Sequence, residues 1–148
     1  VEPVDLVGLA AEECARVGAE LDIAPDAVTL EARGVAKLLR RAVRNLLENA
    51  ARHGSAGQVS AGLSLVGDHA VLHVDDRGPG VPEAQRERIF EPFYRLPGAS
   101  EREGGVGLGL ALVRSIAQSH GGSAHCTHRT DGQPGACFVL ALPLALWK

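Results

Sequence analysis

The chain has 148 residues, 45% hydrophobic and 22% charged, with a formal net charge of −3. That is enough for one domain with an apolar core, while the mild negative charge and 3% aromatic content exclude a basic, stacking nucleic-acid surface. No apolar run reaches the roughly 20 residues of a membrane helix, no signal peptide is expected from "VEPVDLVGLA", and three cysteines without paired spacing fit a reducing, cytoplasmic setting.

The pattern predicts a helix over residues 3–20, with Pro3 near its start and apolar Leu6, Leu9, Ala10 and Val17. "AVTLEA" (27–32) alternates like a strand. "GVAKLLRRAVRNLLENAARHG" (34–54) predicts a long amphipathic helix ended by Gly54. "QVSAGLSLVG" and "HAVLHVDD" predict a hairpin around Gly67-Asp68. "RGPGVP" (77–82) reads as a turn, 82–89 as a short helix and 90–106 as a long loop of the kind that usually carries function. A helix over about 107–120 and a final hairpin of "SAHCTHR" and "GACFVLALP" complete an α+β two-layer sandwich.

Three stretches carry chemistry. In the 34–54 helix, Val35, Leu38, Leu39, Ala42, Val43, Leu46, Leu47 and Ala50 form one apolar stripe that is expected to face the core. At about 100° per residue, Asn49 falls inside that arc, Asn45 at its edge, and Arg41 and Arg52 just beyond. A buried amide without a partner costs roughly 1–3 kcal/mol. Asn49 is therefore either bonded to a neighbouring backbone or, with Asn45, presents amide oxygens to a hard cation such as Mg²⁺. "VLHVDDRGPGV" ends a strand on Asp75-Asp76 before Gly78 and Gly80. Asp76 is either a turn residue or a carboxylate at a pocket floor that accepts from an exocyclic amine, which favours adenine over guanine. Gly104, Gly105, Gly107 and Gly109 crowd the entrance of the next helix. They form either a hinge or a nest of N–H groups that holds phosphate at the helix N-terminus, with Leu108 and Leu110 packed beneath.

Together, "NLLENAARH" (45–53), "DDRGPG" (75–80), "IFEPFYR" (89–95) and "GVGLGL" (105–110) resemble, in order, the N, G1, F and G2 boxes of the ATP-binding catalytic domain of bacterial sensor histidine kinases. That domain belongs to the wider family shared with gyrase, heat-shock chaperones and mismatch-repair proteins, and the resemblance covers about residues 1–143. It implies a Bergerat-type sandwich, a mixed and mostly antiparallel sheet covered on one face by about three helices. It also implies ATP and Mg²⁺ as ligands. Asn49 would then ligate Mg²⁺ with Asn45 assisting, Arg52 and His53 would approach the phosphates, and Asp76 would bond the adenine amine. Gly78 and Gly80 would shape the adenine side. Phe90, Phe93, Tyr94 and Arg95 would begin a lid reaching to about residue 104, and Gly105, Val106, Gly107, Leu108 and Gly109 would line the phosphates.

In the gyrase-like branch a glutamate stands where this chain has Asn45. A neutral amide is no general base, so slow hydrolysis and transfer to a protein side chain are implied. Glu48 is either a polarising group for the acceptor histidine or a solvated acid. The six histidines precede Gly, Ala, Val, Gly, Cys and Arg, and none fits the phosphoacceptor pattern of His followed by an acid and Leu. The chain is therefore expected as a single catalytic domain over 1–148, with 1–10 the end of a linker from a dimerisation and phosphotransfer hairpin supplied elsewhere. A response regulator is expected downstream, with neither nucleic-acid binding nor direct membrane contact. The domain is expected in the cytoplasm, its parent kinase anchored in the inner membrane or not. The rival readings are a stand-alone serine kinase of the anti-sigma-factor type and a non-catalytic nucleotide-sensing module. His120, His125, Cys126 and His128 match no closed zinc pattern. Cys14 and Cys137 read as small core hydrophobes, and Trp147 as a cap on the core edge.

Overall fold

A computed structural model of the chain describes residues 1–53, 59–94 and 108–144. Gly54, residues 95–107 and Trp147 lie outside the described residues. The elements run β1 (Glu2–Asp5), α1 (Leu6–Val17), β2 (Glu20–Ile23), β3 (Glu31–Gly34), α2 (Ala36–His53), β4 (Ser60–Val66), β5 (His69–Asp75), α3 (Gly109–Ser119), β6 (Ser123–His128) and β7 (Ala136–Pro143), with single 3₁₀ turns at Pro25–Ala27, Glu83–Gln85 and Arg88–Phe90. Five strands form one sheet in the order β2-β4-β5-β7-β6, and β1 pairs with β3 as a separate two-stranded ribbon. Within the large sheet only β2 and β4 run parallel. No helix among the described residues is long and apolar enough to cross a membrane.

The large sheet has one dry face. Along β5 the burial alternates strictly, with Ala70, Leu72 and Val74 buried between half-exposed neighbours. Their partners in the register, Leu142, Leu140 and Phe138, are buried too. Alternate strand residues point to opposite faces, so the helices need cover only this one. The α1, α2 and α3 helices form that layer, which confirms the α+β two-layer sandwich.

The predicted first helix divides. Residues 2–5 are a strand, because Asp5 is an N-cap: its carboxylate accepts a hydrogen bond from Gly8 N at 3.1 Å, which fixes the helix start at Leu6. Val4, Leu6, Leu9 and Ala10 are buried. Gly18, at φ +73°, closes α1 in a left-handed turn, and the short parallel strand β2 follows, overlapping the predicted helix only at Glu20. The strand expected over 27–32 is displaced to 31–34, because Pro25 opens a 3₁₀ turn and leaves Val28 exposed. The short helix expected over 82–89 is instead two 3₁₀ turns. The long helix, both hairpins and the last helix form as predicted.

On α2 the apolar stripe is buried at Leu39, Ala42, Val43, Leu46, Leu47 and Ala50, but Val35 and Leu38 are about 40% exposed. Val35 precedes the helix, and Leu38 shares its heading with Asn45 at the edge of the arc. The opposite shoulder of α2 meets α1 through Glu13, whose side chain is only 2% exposed. Arg44 donates to both its oxygens at 2.8 and 3.1 Å, and Arg40 donates at 2.9 Å. These bonds, those of Arg44 above all, overcome burial and hold the Glu13 carboxyl at about 2 against an ordinary 4.5.

A depressed folded-state pKa contributes stability above the unfolded value, and that contribution is lost as pH falls through the folded one. Glu13 should therefore stabilise the domain fully above pH 4.5 and progressively less down to about 2. Glu13→Gln is expected to lower unfolding stability by about 2 kcal/mol at neutral pH, less than for a fully buried pair because both arginines can turn to water. It should also flatten the acid side of the stability profile, as urea melts at stepped pH would show. A variant that melts like the parent at every pH would refute this assignment.

Candidate functional site

Among the described residues the only buried polar or charged side chains are Glu13, Asn49, Asp76 and Arg129. Glu13 is accounted for by its arginines. Of the other three, Asp76 and Arg129 are in direct contact, and Asn49 is carried by α2.

Asp76 continues the inward alternation of Leu72 and Val74 past the end of β5 and is 3% exposed. Its backbone N donates to Ala136 O at 2.9 Å, extending the ladder with β7 by one residue. One carboxylate oxygen, Oδ1, accepts from Gly78 N at 3.2 Å and Ala136 N at 2.9 Å. No described residue bonds the second oxygen. Two backbone donors thus fix the plane of the carboxylate and leave one acceptor for something else.

Gly78 supplies one of those two N–H donors, and Gly80, at φ +86°, turns the chain away. Gly135, at φ +129°, brings the β6–β7 turn against the same corner, where a Cβ would overlap Asp76 O. Behind it stands Arg129, which donates from Nη1 to Asp76 O at 3.2 Å and is gripped by the Asp131 carboxylate through Nε and Nη2. Sequence reasoning missed Arg129 and Gly135. The "RTDGQPG" turn carries the only signal, an arginine two residues before an aspartate.

Asn49 lies on the sheet-facing side of α2, 6% exposed, and its amide nitrogen has no hydrogen-bond partner among the described residues. The bland expectation of a core asparagine bonded to neighbouring backbone is not met at that atom. Asn45, one turn earlier, donates from Nδ2 to Gly109 O at 3.4 Å. The structure therefore joins the asparagine helix to the last glycine of the glycine-rich entrance. α3 starts there with no side-chain cap, so its first N–H groups and its partial positive charge are directed beside Asn45. Leu110 packs against the core as expected, but Leu108 is 43% exposed.

The remaining predicted residues are placed as follows. Arg52 is exposed on α2, and the His53 side chain, Arg95, Gly105, Val106 and Gly107 lie outside the described residues. Phe90 is buried with the Arg114 guanidinium 4.1 Å above its ring, and Arg114 also bonds Glu87 and Ala124 O. Tyr94 is half-buried under Arg88. Between them Phe93 is 67% exposed at φ +66°, a conformation that costs a bulky residue of order 1 kcal/mol or more. The F box is thus anchored at Phe90 and strained at Phe93. Glu48 is not gathered with the asparagines. It is half-exposed on the α1 flank of the helix, 3.6 Å from Arg16.

A cavity of about 590 Å³ opens between the 79–86 segment and the 133–135 turn, with Gln85 and Arg86 on its wall. It shares only Gly80 with the predicted residues and adjoins the site rather than forming it. His120, His125, Cys126 and His128 do not converge. His120 Nε2 accepts from Val35 N at 3.1 Å, and burial pushes the Cys126 thiol up to about 12.

Asn49 fits a cation ligand on the ground of its unmet buried amide. A half-turn of the amide exchanges its nitrogen and oxygen, so the side chain can present an acceptor without moving the helix. Amide oxygens suit a hard ion such as Mg²⁺.

The sequence is similar to known proteins throughout this region. It is 47% identical over 105 residues to the sensor histidine kinase GtrS of Pseudomonas aeruginosa, a match covering 71% of this chain and 21% of that protein. The fold superposes on the mycobacterial sensor histidine kinase MprB with a TM-score of 0.84 and 31% identity, over 99% of this chain and 100% of that one. It superposes on the ATP binding domain of PrrB from Mycobacterium tuberculosis with a TM-score of 0.73 and 34% identity, over 97% of each. The chain spans between about a fifth and a third of the length of the curated relatives it matches. Residues 34–146 match the family model described as histidine kinase-, DNA gyrase B- and HSP90-like ATPase, and the chain belongs to that family.

Proposed function

We propose that this chain is the ATP-binding catalytic domain of a two-component sensor histidine kinase, and that with Mg²⁺ bound it transfers the γ-phosphoryl group of ATP to a histidine on a separate dimerisation hairpin. The observation that carries this reading is the buried Asp76 carboxylate, which takes both its backbone donors on one oxygen, together with the buried amide nitrogen of Asn49, which has no partner among the described residues. Asp76 accepts the exocyclic amine of adenine and so selects against guanine, which offers a carbonyl there. The α3 N-terminus beside Asn45 meets phosphate charge, and by the family resemblance Arg52 and His53 would approach the same charge. Asn49 and Asn45 would hold Mg²⁺, which would neutralise developing charge on the phosphate oxygens. By the family resemblance, Phe90, Phe93, Tyr94 and Arg95 would begin the lid, and Gly105, Val106 and Gly107 would line the phosphates.

Transfer breaks the bond from the γ-phosphorus to its bridging oxygen, forms a phosphorus–nitrogen bond to imidazole, and leaves ADP and a proton. Asn45 cannot take a proton from water, so the site supports transfer over hydrolysis. Glu48, set toward Arg16, is the residue from which the acceptor histidine would be polarised on docking. The whole of 1–148 forms this domain, entered through residues 1–10 from the hairpin. A response regulator receives the phosphoryl group, and the domain works in the cytoplasm, whether or not its parent is anchored in the inner membrane.

Supplying candidate hairpins in trans with labelled ATP tests the reading. An acid-labile, base-stable label on the hairpin is expected. An acid-stable label would favour a serine kinase, and binding without transfer a sensing module.

Two substitutions probe the pocket. Asp76→Asn keeps an oxygen for Gly78 N and Ala136 N but turns the free acceptor into a donor. It should weaken ATP binding about 30-fold by calorimetry, the equivalent of one charge-assisted bond of about 2 kcal/mol; unchanged affinity would remove Asp76 from the site. Asn49→Ala should cut transfer at least about 100-fold while the melting temperature holds, since no bond from its amide nitrogen is lost. Surviving transfer would show that the ion is held elsewhere.

A further inference from the structure

Asp75 and Asp76 are neighbours on opposite faces of the sheet, and the outer face has a cluster of its own. His73, Asp75 and Cys137 each offer one ligand atom, and these atoms all lie within 4.8 Å of one another. Asp75 and Cys137 are direct partners in the β5–β7 register, and His73 is one pleat back on the same face. The His73 Nδ1 is 3.7 Å from Asp75 Oδ2. The other oxygen, Asp75 Oδ1, is buried and has no hydrogen-bond partner among the described residues. Cys137 is 4% exposed, buried as expected of a small hydrophobe, but it lies outside the main apolar cluster.

The neighbouring strand is cut to fit. Gly62 of β4 lies opposite His73 in the register, and a Cβ there would overlap the imidazole ring. The ring therefore lies across bare backbone with its Nε2 edge toward Gly62 and its Nδ1 toward Asp75. Asp22 of β2 is paired with Gly62 on its far side, and its negative charge acts on His73. A carboxylate behind a histidine is the usual outer support of a metal-bound imidazole.

We propose that His73, Asp75 and Cys137 form a binding site for a thiophilic divalent cation, Zn²⁺ above all, on the sheet face opposite the nucleotide cleft. One nitrogen, one carboxylate oxygen and one sulfur suit zinc in kind and number, with water as the fourth ligand. Bonds of about 2.0–2.3 Å place tetrahedral ligand atoms roughly 3.5 Å apart, so the cluster closes by about 1 Å on binding. His73 and Asp75 have the freedom to do this, since their side chains are 42% and 18% exposed, and they leave an entry path from solvent. Binding exchanges the Cys137 thiol proton for the metal.

Cobalt titration of the chelator-treated chain provides the test. One equivalent of Co²⁺ should produce a thiolate-to-cobalt charge-transfer band, and Zn²⁺ should displace it. The band should vanish in Cys137→Ser and persist in Cys126→Ser, whose sulfur is on the inner face. Zn²⁺ affinity, by competition against Co²⁺, should fall more than about 100-fold in His73→Gln, beyond the 10–100-fold typical of losing an outer-shell partner. His73 is half-exposed, so this variant stays informative if Cys137→Ser fails to fold. The proposal is overturned by no band with excess Co²⁺, by a band that survives Cys137→Ser, or by undiminished Zn²⁺ affinity in His73→Gln.

Discussion

The structure depends on one act of burial: α2 covers the middle of a sheet that is apolar on a single face, and it carries Asn49 into the covered layer. The stripe of Leu39, Leu46 and Leu47, each about 1% exposed, holds the helix down. Each buried leucine contributes on the order of 2 kcal/mol, which exceeds the penalty for one unmet amide. An asparagine can therefore be kept in an apolar layer with an unmet amide. The two shoulders of the same helix do different work. One is clamped to α1 by Arg40 and Arg44 on Glu13, and the other opens toward the start of α3 through Asn45.

Buried charge divides along the same line. Glu13 receives hydrogen bonds from Arg40 and Arg44 on both its oxygens and has little left to offer a ligand. Asp76 has both its backbone donors on one oxygen, with Arg129 bracing the adjacent carbonyl rather than neutralising the carboxylate directly. An acid that is held in place but only half used is preorganised to receive a donor, which is what recognition of an amine requires.

The same alternation that turns Asp76 inward turns Asp75 outward. β5 thereby serves two chemistries from adjacent residues, and β7 answers with Phe138 on the helix-covered face and Cys137, also buried, on the opposite one. Gly62 and Gly135 each give up a side chain so that a neighbour can approach closely, the first under His73 and the second beside Asp76.

Much was legible in the chain because it was local. The period of 3.6 in residues 36–53 placed Asn49 inside the apolar arc, whereas Asp76, left open between a turn residue and a pocket floor, is settled on the buried face by the alternation of β5 in the structure. The four boxes, read in order, indicated the family. Strands β1 and β2, four residues each, were not legible, because so short a run carries too little periodicity to outweigh the helix beside it. Nor were Arg129, Gly135 and the His73–Asp75–Cys137 cluster, which depend on β6 and β7 coming back beside β5 from some 60 residues away. Sequence alone determined that the long helix would bury one apolar stripe with Asn49 inside it; only the tertiary structure decided how far that stripe extends and which side chains meet across strands, because register is a property of pairs and no single segment contains it.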